Sequence, residues 1–532
     1  MSYKKLKDEI FSKSKKQKTN YKLTDTSNAE NICNLFGDKI RFDHRRKRWL
    51  IWDTHRWKTD DDGSIYRHAI KAAQSRFCDS IKIADLGQRN AYAKFAIGSE
   101  NRQKIESAIS IAKTLKPISD NGNSWDSDKM LLCCPNGIVN LKDGLLRQGL
   151  PNDRITMQTN TEYNPEANCP LWLKFINEIF EHNEVLIHYV QKALGYSMSG
   201  DMSEQVVFFC YGTGSNGKSV LFSIVSGVLG DYSHSVPGCT FQRNQNNSNT
   251  NDVAAIEFKR FLISAESLSS SKINEQRMKK WSGGDAETAR YLYGEFSTFN
   301  PVCKIWLFIN HKPQIEDDSF GFWRRVRLIP FNRQFVGSEI DKNLTEKLRS
   351  EYKGIFNWLI EGFLMWQKEG LEPTPEIVSK ATKDYQTEND ELAEFVLDKC
   401  VEGEEYNERA SILYKTYQTW AIDQGLTGIE ILSQTKFGRC MTDKYKKKQT
   451  NKGGVYQGIT LKENCEIFPS GGFEQKTELE VVGMTENTKT PQENKLISDL
   501  CENNETLHFE PTQNNQPTTT SNLLLNDDHF EI

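Results

Sequence analysis

The stretch Tyr211-Gly212-Thr213-Gly214-Ser215-Asn216-Gly217-Lys218-Ser219 carries the side chains and spacing with the most definite chemistry in the chain. It fits G-x-x-x-x-G-K-[ST], in which glycines at 212, 214 and 217 let the backbone bend tightly around an anion. Lys218 supplies a point charge for β- and γ-phosphates, and the Ser219 hydroxyl offers one ligand to a Mg²⁺ ion otherwise held by phosphate oxygens and water. The motif thus assigns Gly212, Thr213, Gly214, Ser215, Asn216, Gly217, Lys218 and Ser219 to ATP. The other reading is a Gly-rich turn followed by a solvent-facing lysine.

Such a loop works only between a strand and a helix. Val206 to Cys210 reads as a short buried strand, and Val220 to Leu229 as a helix. Two more apolar runs supply the remaining roles. Phe261-Leu262-Ile263-Ser264-Ala265 ends in Glu266, an acid that would orient the attacking water and support Mg²⁺ from a strand beside the P-loop strand. Lys304-Ile305-Trp306-Leu307-Phe308-Ile309 ends in Asn310, whose amide both donates and accepts and can position that water. Trp323-Arg324-Arg325-Val326-Arg327 then leads into Leu328-Ile329-Pro330-Phe331. A guanidinium here would reach a γ-phosphate bound by a neighbouring subunit, or else form a surface salt bridge.

Around this centre, 532 residues give room for roughly three or four domains. A hydrophobic content of 37% and a mean hydropathy of −0.64 suit a soluble protein with polar extensions. No apolar run approaches the ~18 residues of a membrane span, and the start MSYKKLKDEIFSKSKK lacks the apolar centre of a signal peptide. The expectation is a cytoplasmic protein, in the host cytoplasm if the source is viral, with no membrane partner. The 12 cysteines are scattered without C-x-x-C or Cys/His ligand spacing, which points to reduced thiols and against structural zinc. The net charge of −4 conceals an acidic tail, since Gly471 to Ile532 holds nine Glu and three Asp against three Lys, leaving a mildly basic body.

Taken in order, the first 25 residues hold eight lysines, as a solvated arm or a DNA-contacting one. Lys39 to Lys58 alternates like paired strands, with Arg45-Arg46-Lys47-Arg48 at the turn, either touching phosphates or solvated. Ile65 to about Leu115 reads as helices, and Met130 to Leu146 as short strands turning at Asn136-Gly137 and Asp143-Gly144. Trp172, Phe175, Ile176, Ile179 and Phe180 recur at helical spacing in a lead-in to the P-loop strand. Leu344 to Trp366 is helical, with Phe356, Leu359, Ile360, Phe363 and Leu364 on a core face. Residues 391–470 read as a small separate domain, and the tail beyond is polar and expected to be disordered. Its last ten residues mix acids with apolar side chains and could recruit a replication partner.

The order P-loop, Glu266, Asn310, Arg325 between Gly212 and Phe331 resembles the superfamily 3 helicases, a ring-forming branch of the AAA+ ATPases. Trp281-Ser282-Gly283-Gly284-Asp285, Thr288-Ala289-Arg290, Tyr293-Gly294-Glu295, Asn310-His311-Lys312-Pro313 and Phe322-Trp323-Arg324-Arg325 look like the phage and plasmid primase-helicase family related to the poxvirus primase-helicase. The resemblance spans roughly Leu171 to Tyr385. It implies hexamers around DNA, ATP hydrolysis at subunit interfaces, and 3′ to 5′ movement on single strands. It further implies Lys218 and Ser219 as Walker A residues, Glu266 as the Walker B acid and Mg²⁺ support, Asn310 as sensor, and Arg325 as finger with Arg324 as fallback. Lys279, Arg290 and Lys304 flank the segment that lines the DNA channel in relatives. Two departures stand out: Ala265 and Ser267 flank Glu266 where many relatives in the wider superfamily have a second acid, and the first 160 or so residues hold no recognisable primase triad.

The expected architecture is α/β. It comprises a basic arm (1–25), an α+β amino-terminal domain (26–163), a helical lead-in (164–200), an AAA+ P-loop NTPase core (201–340), a helical segment (341–390), a domain resembling a winged helix (391–470) and an acidic tail (471–532). In that last folded domain, Lys444, Lys446, Lys447 and Lys448 lie beside a Gly-Gly turn, as a phosphate-touching wing or a solvated one. The expected function is an ATP-dependent replicative DNA helicase of a phage, plasmid or other mobile element, acting on single-stranded and forked DNA without its own primase domain. A primase, polymerase or loader would be a further partner. The alternative is an origin-binding initiator in which ATP governs assembly only.

Overall fold

The computed structural model describes residues 22–243, 250–265, 272–290, 296–315, 319–390, 392–428, 431–451 and 453–465. Glu266, the Tyr293-Gly294-Glu295 motif, most of the basic arm and the acidic tail lie outside the described residues.

The alternating amino-terminal segment forms an antiparallel meander of β1 (Ile40–Asp43), β2 (Arg48–Asp53) and β3 (Arg56–Thr59), in which Phe42 faces Trp49 and Trp52 faces Trp57. A short β4 (Ser119–Asp120) adds in parallel beside β1. Four helices, 25–36, 64–80, 86–99 and 102–112, pack with it. Helices 25–36, 64–80 and 102–112 share a core rich in alanine, with Ala29, Ala69, Ala72 and Ala108 beside Ile32, Ile65 and Ile105, so these helices approach closely. A second antiparallel unit follows, of β5 (Leu131–Cys134), β6 (Gly137–Asn140) and β7 (Leu145–Arg147). Asn136, at its first turn, both donates to and accepts from the Tyr163 backbone, at 2.9 and 3.0 Å.

The centre of the chain is a five-stranded parallel sheet. Its members in chain order are β8 (Val207–Tyr211), β9 (Ser233–Pro237) and β10 (Phe261–Ala265), then β13 (Lys304–Ile309) and β14 (Val326–Pro330). The intervening β11 (Glu287–Ala289) and β12 (Ser297–Phe299) pair only with each other, as a ribbon. Across the sheet the order is β14-β8-β13-β10-β9. Strands covered on both faces need apolar side chains on both, which is why β8, β10 and β13 read as continuous apolar runs with no alternation. Phe208 stacks on Trp306 with centroids 4.1 Å apart, tying the two central strands together.

This order corrects one expectation. The strand ending at Ala265 is not beside the P-loop strand: β13 lies between, pairing with β8 on one side and β10 on the other. On that side, the residue that follows the strand next to the P-loop strand is therefore Asn310.

Helix 170–179 buries Trp172, Phe175, Ile176 and Ile179, and helix 352–369 packs against helix 184–196, burying Phe356, Leu359, Ile360 and Phe363. Beyond residue 392, helices 393–399, 410–423 and 434–444 share a separate core of Phe395, Tyr417, Trp420, Phe437 and Tyr456 with a three-stranded antiparallel sheet. That sheet is β15 (Cys400–Arg409), β16 (Lys446–Thr450) and β17 (Gly453–Leu461), with β17 in the middle. Period-2 alternation is weak in β15, where Glu402 and Glu408 are bonded within the structure, so the sequence did not mark it as a strand. Among the described residues, no helix is long and apolar enough to cross a membrane.

Candidate functional site

The P-loop begins where β8 ends. Gly212 has no room for a side chain, since a Cβ would lie 2.3 Å from Asn216 Nδ2 and 2.6 Å from the Phe331 carbonyl. Gly217 has φ +80°, and a Cβ there would lie 2.5 Å from Ile179 Cγ2. The lead-in helix is therefore the floor on which the loop rests. Ser215 also takes a left-handed φ of 46°, and its carbonyl accepts the Phe335 N–H at 2.8 Å, which fixes the outer arm of the loop.

Helix 218–229 starts at Lys218, with glycine at the N-cap. Its first N–H groups have no capping side chain and are available to an anion. Lys218 is buried, and its Nζ donates to the Gly212 carbonyl at 2.5 Å. Burial pushes its pKa below the ordinary lysine value, so the site holds a cation that an anion would stabilise. Asn216 is buried too, and its Nδ2 has no hydrogen-bond partner among the described residues. An orphaned amide donor, a desolvated ammonium and an uncapped helix start thus lie together in residues 216–219. These residues fit a polyphosphate, with the exposed Ser219 hydroxyl placed for a cation carried by it.

Asn310 is adjacent. The Gly212 N–H donates to the Ile309 carbonyl at 3.2 Å, so the sensor candidate leaves β13 level with the start of the P-loop and is exposed there.

Arg325 lies at the opposite end of the strands, just before β14. Val326 pairs with Val207, at the start of β8, whereas the P-loop leaves after Tyr211, which pairs with Pro330. Four residues of strand separate the two levels, ~13 Å at the usual rise. Its guanidinium bonds the Gly321 and Gln205 carbonyls at 3.1 and 3.4 Å and Ser282 Oγ at 3.5 Å. Burial lowers its pKa, with Arg324 adding to the effect. Arg324 is exposed and bonds Gln205 Oε1 at 2.7 Å.

The candidate DNA-facing residues separate. Arg290 is exposed at the end of β11, its guanidinium 4.9 Å from the centroid of Phe296, which is itself exposed. Lys279 is half-buried, and its Nζ donates to Ser319 Oγ at 3.1 Å. Lys304 cannot touch DNA and is withdrawn from that set. It is 1% exposed, donates to the Ser199 carbonyl at 2.5 Å, and lies 4.5 Å from the Tyr196 ring centroid. Burial holds its pKa well below the ordinary lysine range. Over the window between the folded and unfolded values only the unfolded chain keeps this proton, so this residue's contribution makes stability rise with pH there. Lys304→Ala is expected to leave single-stranded DNA affinity unchanged while costing about 1–3 kcal/mol of stability, because the buried Ser199 carbonyl loses a donor. Filter binding and thermal melting check the two halves.

A cavity of about 780 Å³ opens from the P-loop between helix 170–179 and residues 333–344. Phe175, Phe335 and Leu344 supply apolar wall, Glu178 supplies an acceptor, and Ser215 and Gly217 of the P-loop also line it. Sequence reasoning missed Phe335 and Leu344 as site residues. Neither lies in a motif; the Phe335 N–H to Ser215 bond helps bring that segment to the loop.

Two families match the chain. One, described as D5 N terminal like, matches residues 29–181, and a family of unknown function (DUF5906) matches residues 210–325. The chain is 26% identical over 422 residues to the helicase-named protein L207/L206 of Acanthamoeba polyphaga mimivirus, covering 70% of this chain and 43% of that protein. It is 23% identical over 372 residues to the helicase-named protein 121R of Invertebrate iridescent virus 3, covering 63% of this chain and 39% of that protein. The chain thus spans about two fifths of the length of these relatives. Among solved structures, the apo NrS-1 C terminal region is similar at a TM-score of 0.46 and 10% identity, over 81% of this chain and 98% of that one.

Proposed function

Because the chain is related to the phage and viral primase-helicases, we propose that it is an ATP-dependent DNA helicase working as a ring of identical subunits, with a hexamer as the expected size. In this reading Gly212 to Ser219 bind the polyphosphate, Ser219 and Glu266 support Mg²⁺, and Asn310 positions the attacking water. Arg325 acts on the nucleotide of the adjacent subunit, and Arg290 and Lys279 lie toward the DNA. Hydrolysis would move one strand through the ring, 3′ to 5′. The sheet order, with the P-loop strand flanked by β14 and β13, supports an AAA+ core.

One observation carries this reading: a half-buried, well-anchored arginine stands a strand's length from its own P-loop. A finger so placed serves a phosphate only across an interface, and rings supply such interfaces. The region beyond residue 392 is proposed as a winged-helix-like DNA contact. Lys446, Lys447 and Lys448 are exposed on the edge strand β16, whereas Lys444 is paired with Asp390.

Strand displacement on a forked duplex with ATP and Mg²⁺ tests the proposal, with unwinding as the expected result. A folded, DNA-binding protein that hydrolyses ATP without unwinding or DNA stimulation would favour the initiator reading. The cavity beside the P-loop is assigned to the nucleoside. Phe335→Ala is therefore expected to raise the KM for ATP about tenfold, the equivalent of roughly 1.4 kcal/mol of lost ring contact, with kcat changed less than about twofold. An unchanged KM would remove the base from this cavity.

A further inference from the structure

In the run Arg45-Arg46-Lys47-Arg48 at the β1–β2 turn, the first two arginines are bound within the protein rather than held out to solvent. Arg46 reaches Glu257 through two bonds of 2.6 and 3.1 Å, also bonds Asp43 and the Gly122 carbonyl, and lies 4.7 Å from the Phe258 ring centroid. Phe258 holds a left-handed φ of 66° and packs with the cluster of Leu50, Trp57 and Trp125. The next two residues are anchored as firmly. Lys259 donates to the Asp231 carbonyl at 2.6 Å, and the buried Arg260 donates to the carbonyls of Met198, Asp128 and Leu131. Residues 257–260 lead directly into β10. The β1–β2 turn is thereby fixed to the frame of the ATPase sheet.

Arg45, on the same turn, points elsewhere. Its Nε and Nη2 donate to Ser297 Oγ at 3.1 and 3.0 Å, and Nη2 also reaches the Thr298 carbonyl. Both acceptors belong to β12, in the ribbon that stands outside the five-stranded sheet. The ribbon's base is tied by Trp281 Nε1 to Glu287 at 2.8 Å and by Asn300 Nδ2 to the Gly284 carbonyl at 2.8 Å. Arg45 therefore holds it at a second level, nearer the end that carries Arg290 and Phe296.

We propose that the β1–β2 turn is a latch on this ribbon, with Arg45 as its positioning residue. The latch keeps the ribbon in one arrangement until a single strand engages its exposed end, and it rests on the reading of Arg290 as DNA-facing. Arg46 makes the latch stiff by fixing the turn, and Arg45 makes it breakable, because its acceptors are one hydroxyl and one carbonyl with no carboxylate. Charge-assisted hydrogen bonds of this kind shift a two-state equilibrium by roughly tenfold or more, enough to hold the ribbon and still yield to a bound strand.

The test uses the full chain with Arg45→Ala and Ser297→Ala. Hydrogen exchange of the amides in residues 287–290 and 296–299 is expected to speed up about tenfold in both variants, with the melting temperature held within a few degrees. Turnover of ATP without DNA is expected to rise about fivefold, and the stimulation by single-stranded DNA to shrink by the same factor. Arg45→Lys, which keeps one donor, is expected to fall between. Unchanged exchange in both variants overturns the latch outright. Faster exchange with unchanged DNA-free turnover overturns its control of the motor, leaving a structural strap. If exchange speeds up as expected while the intact protein shows no stimulation by DNA, the helicase reading itself has failed, and the latch's control of it with it.

Discussion

Arg325→Ala protein is expected to bind ATP with its original Kd and to hydrolyse it at least about 10³-fold more slowly, the scale on which a trans-acting arginine stabilises transition-state charge. β14 and β8 run in parallel with Val326 opposite Val207 and Pro330 opposite Tyr211, so Arg325 and its own P-loop sit at opposite ends of two neighbouring strands. The Gly321 and Gln205 carbonyls and Ser282 Oγ fix the guanidinium there, so it is presented in a preorganised pose. Mixing makes the test sharp. Arg325→Ala and Lys218→Ala proteins should each be inactive, yet together regain turnover, because an interface between them can combine an intact P-loop with an intact finger. Phosphate release at fixed total protein reads this directly. If verified mixed oligomers stay inactive, Arg325 does not act in trans. Arg324→Ala serves as comparison; its side chain is exposed and bonds only Gln205 among the described residues, and a change of no more than a few-fold is expected.

Lys218→Ala is the second large effect, and here binding and catalysis should fall together. Among the described residues the buried ammonium bonds the Gly212 carbonyl alone, with its pKa lowered by burial. In the nucleotide-free protein it is a desolvated charge awaiting a counter-ion. Its removal is expected to cut hydrolysis about 10³-fold and weaken ATP binding at least about 10²-fold. The nucleotide-free melting temperature should stay level or rise, since a buried cation has gone. The intact protein should melt higher in ATP by mass action, and the variant should not. A variant that kept its ATP-induced shift would show that Lys218 is not the phosphate contact. A variant that simply melted early would show that Lys218 is instead part of the packing around Phe331, whose ring centroid lies 5.9 Å from Nζ.

The legible and illegible parts of this chain divide along a physical line. The P-loop was readable because its chemistry is local: glycines, lysine and serine within eight residues, between an apolar run and a helical one. The flanking strands were readable for a similar reason, since burial on both faces leaves only apolar side chains. The helices of the lead-in and of residues 352–369 showed themselves through the recurrence of Phe175 and Ile179, or Phe356 and Phe363, on one face. Strand β15 was missed because its alternation is broken by glutamates whose partners lie far along the chain. The ribbon of β11 and β12 was missed because three-residue strands carry no period.

Lys304 and Arg45 mark the limit most plainly. A lysine opening an apolar strand reads as a solvent-facing end, and an Arg-Arg-Lys-Arg run reads as a charged turn. Whether such a charge meets water, nucleic acid or protein depends on what folds over it, and the Ser199 carbonyl and Ser297 hydroxyl lie 105 and 252 residues away. By itself, then, the sequence determined the phosphate loop, the apolar strands of the sheet and the candidate roles of Lys218, Asn310 and Arg325, because each is written in neighbours along the chain. Only the tertiary structure decided that β13 rather than β10 borders the P-loop strand, that Lys304 is interior, that Phe335 walls the cavity beside the P-loop and that Arg45 grips the ribbon. Those facts are long-range pairings, in which the energy of a residue is set by atoms that sequence proximity does not reveal.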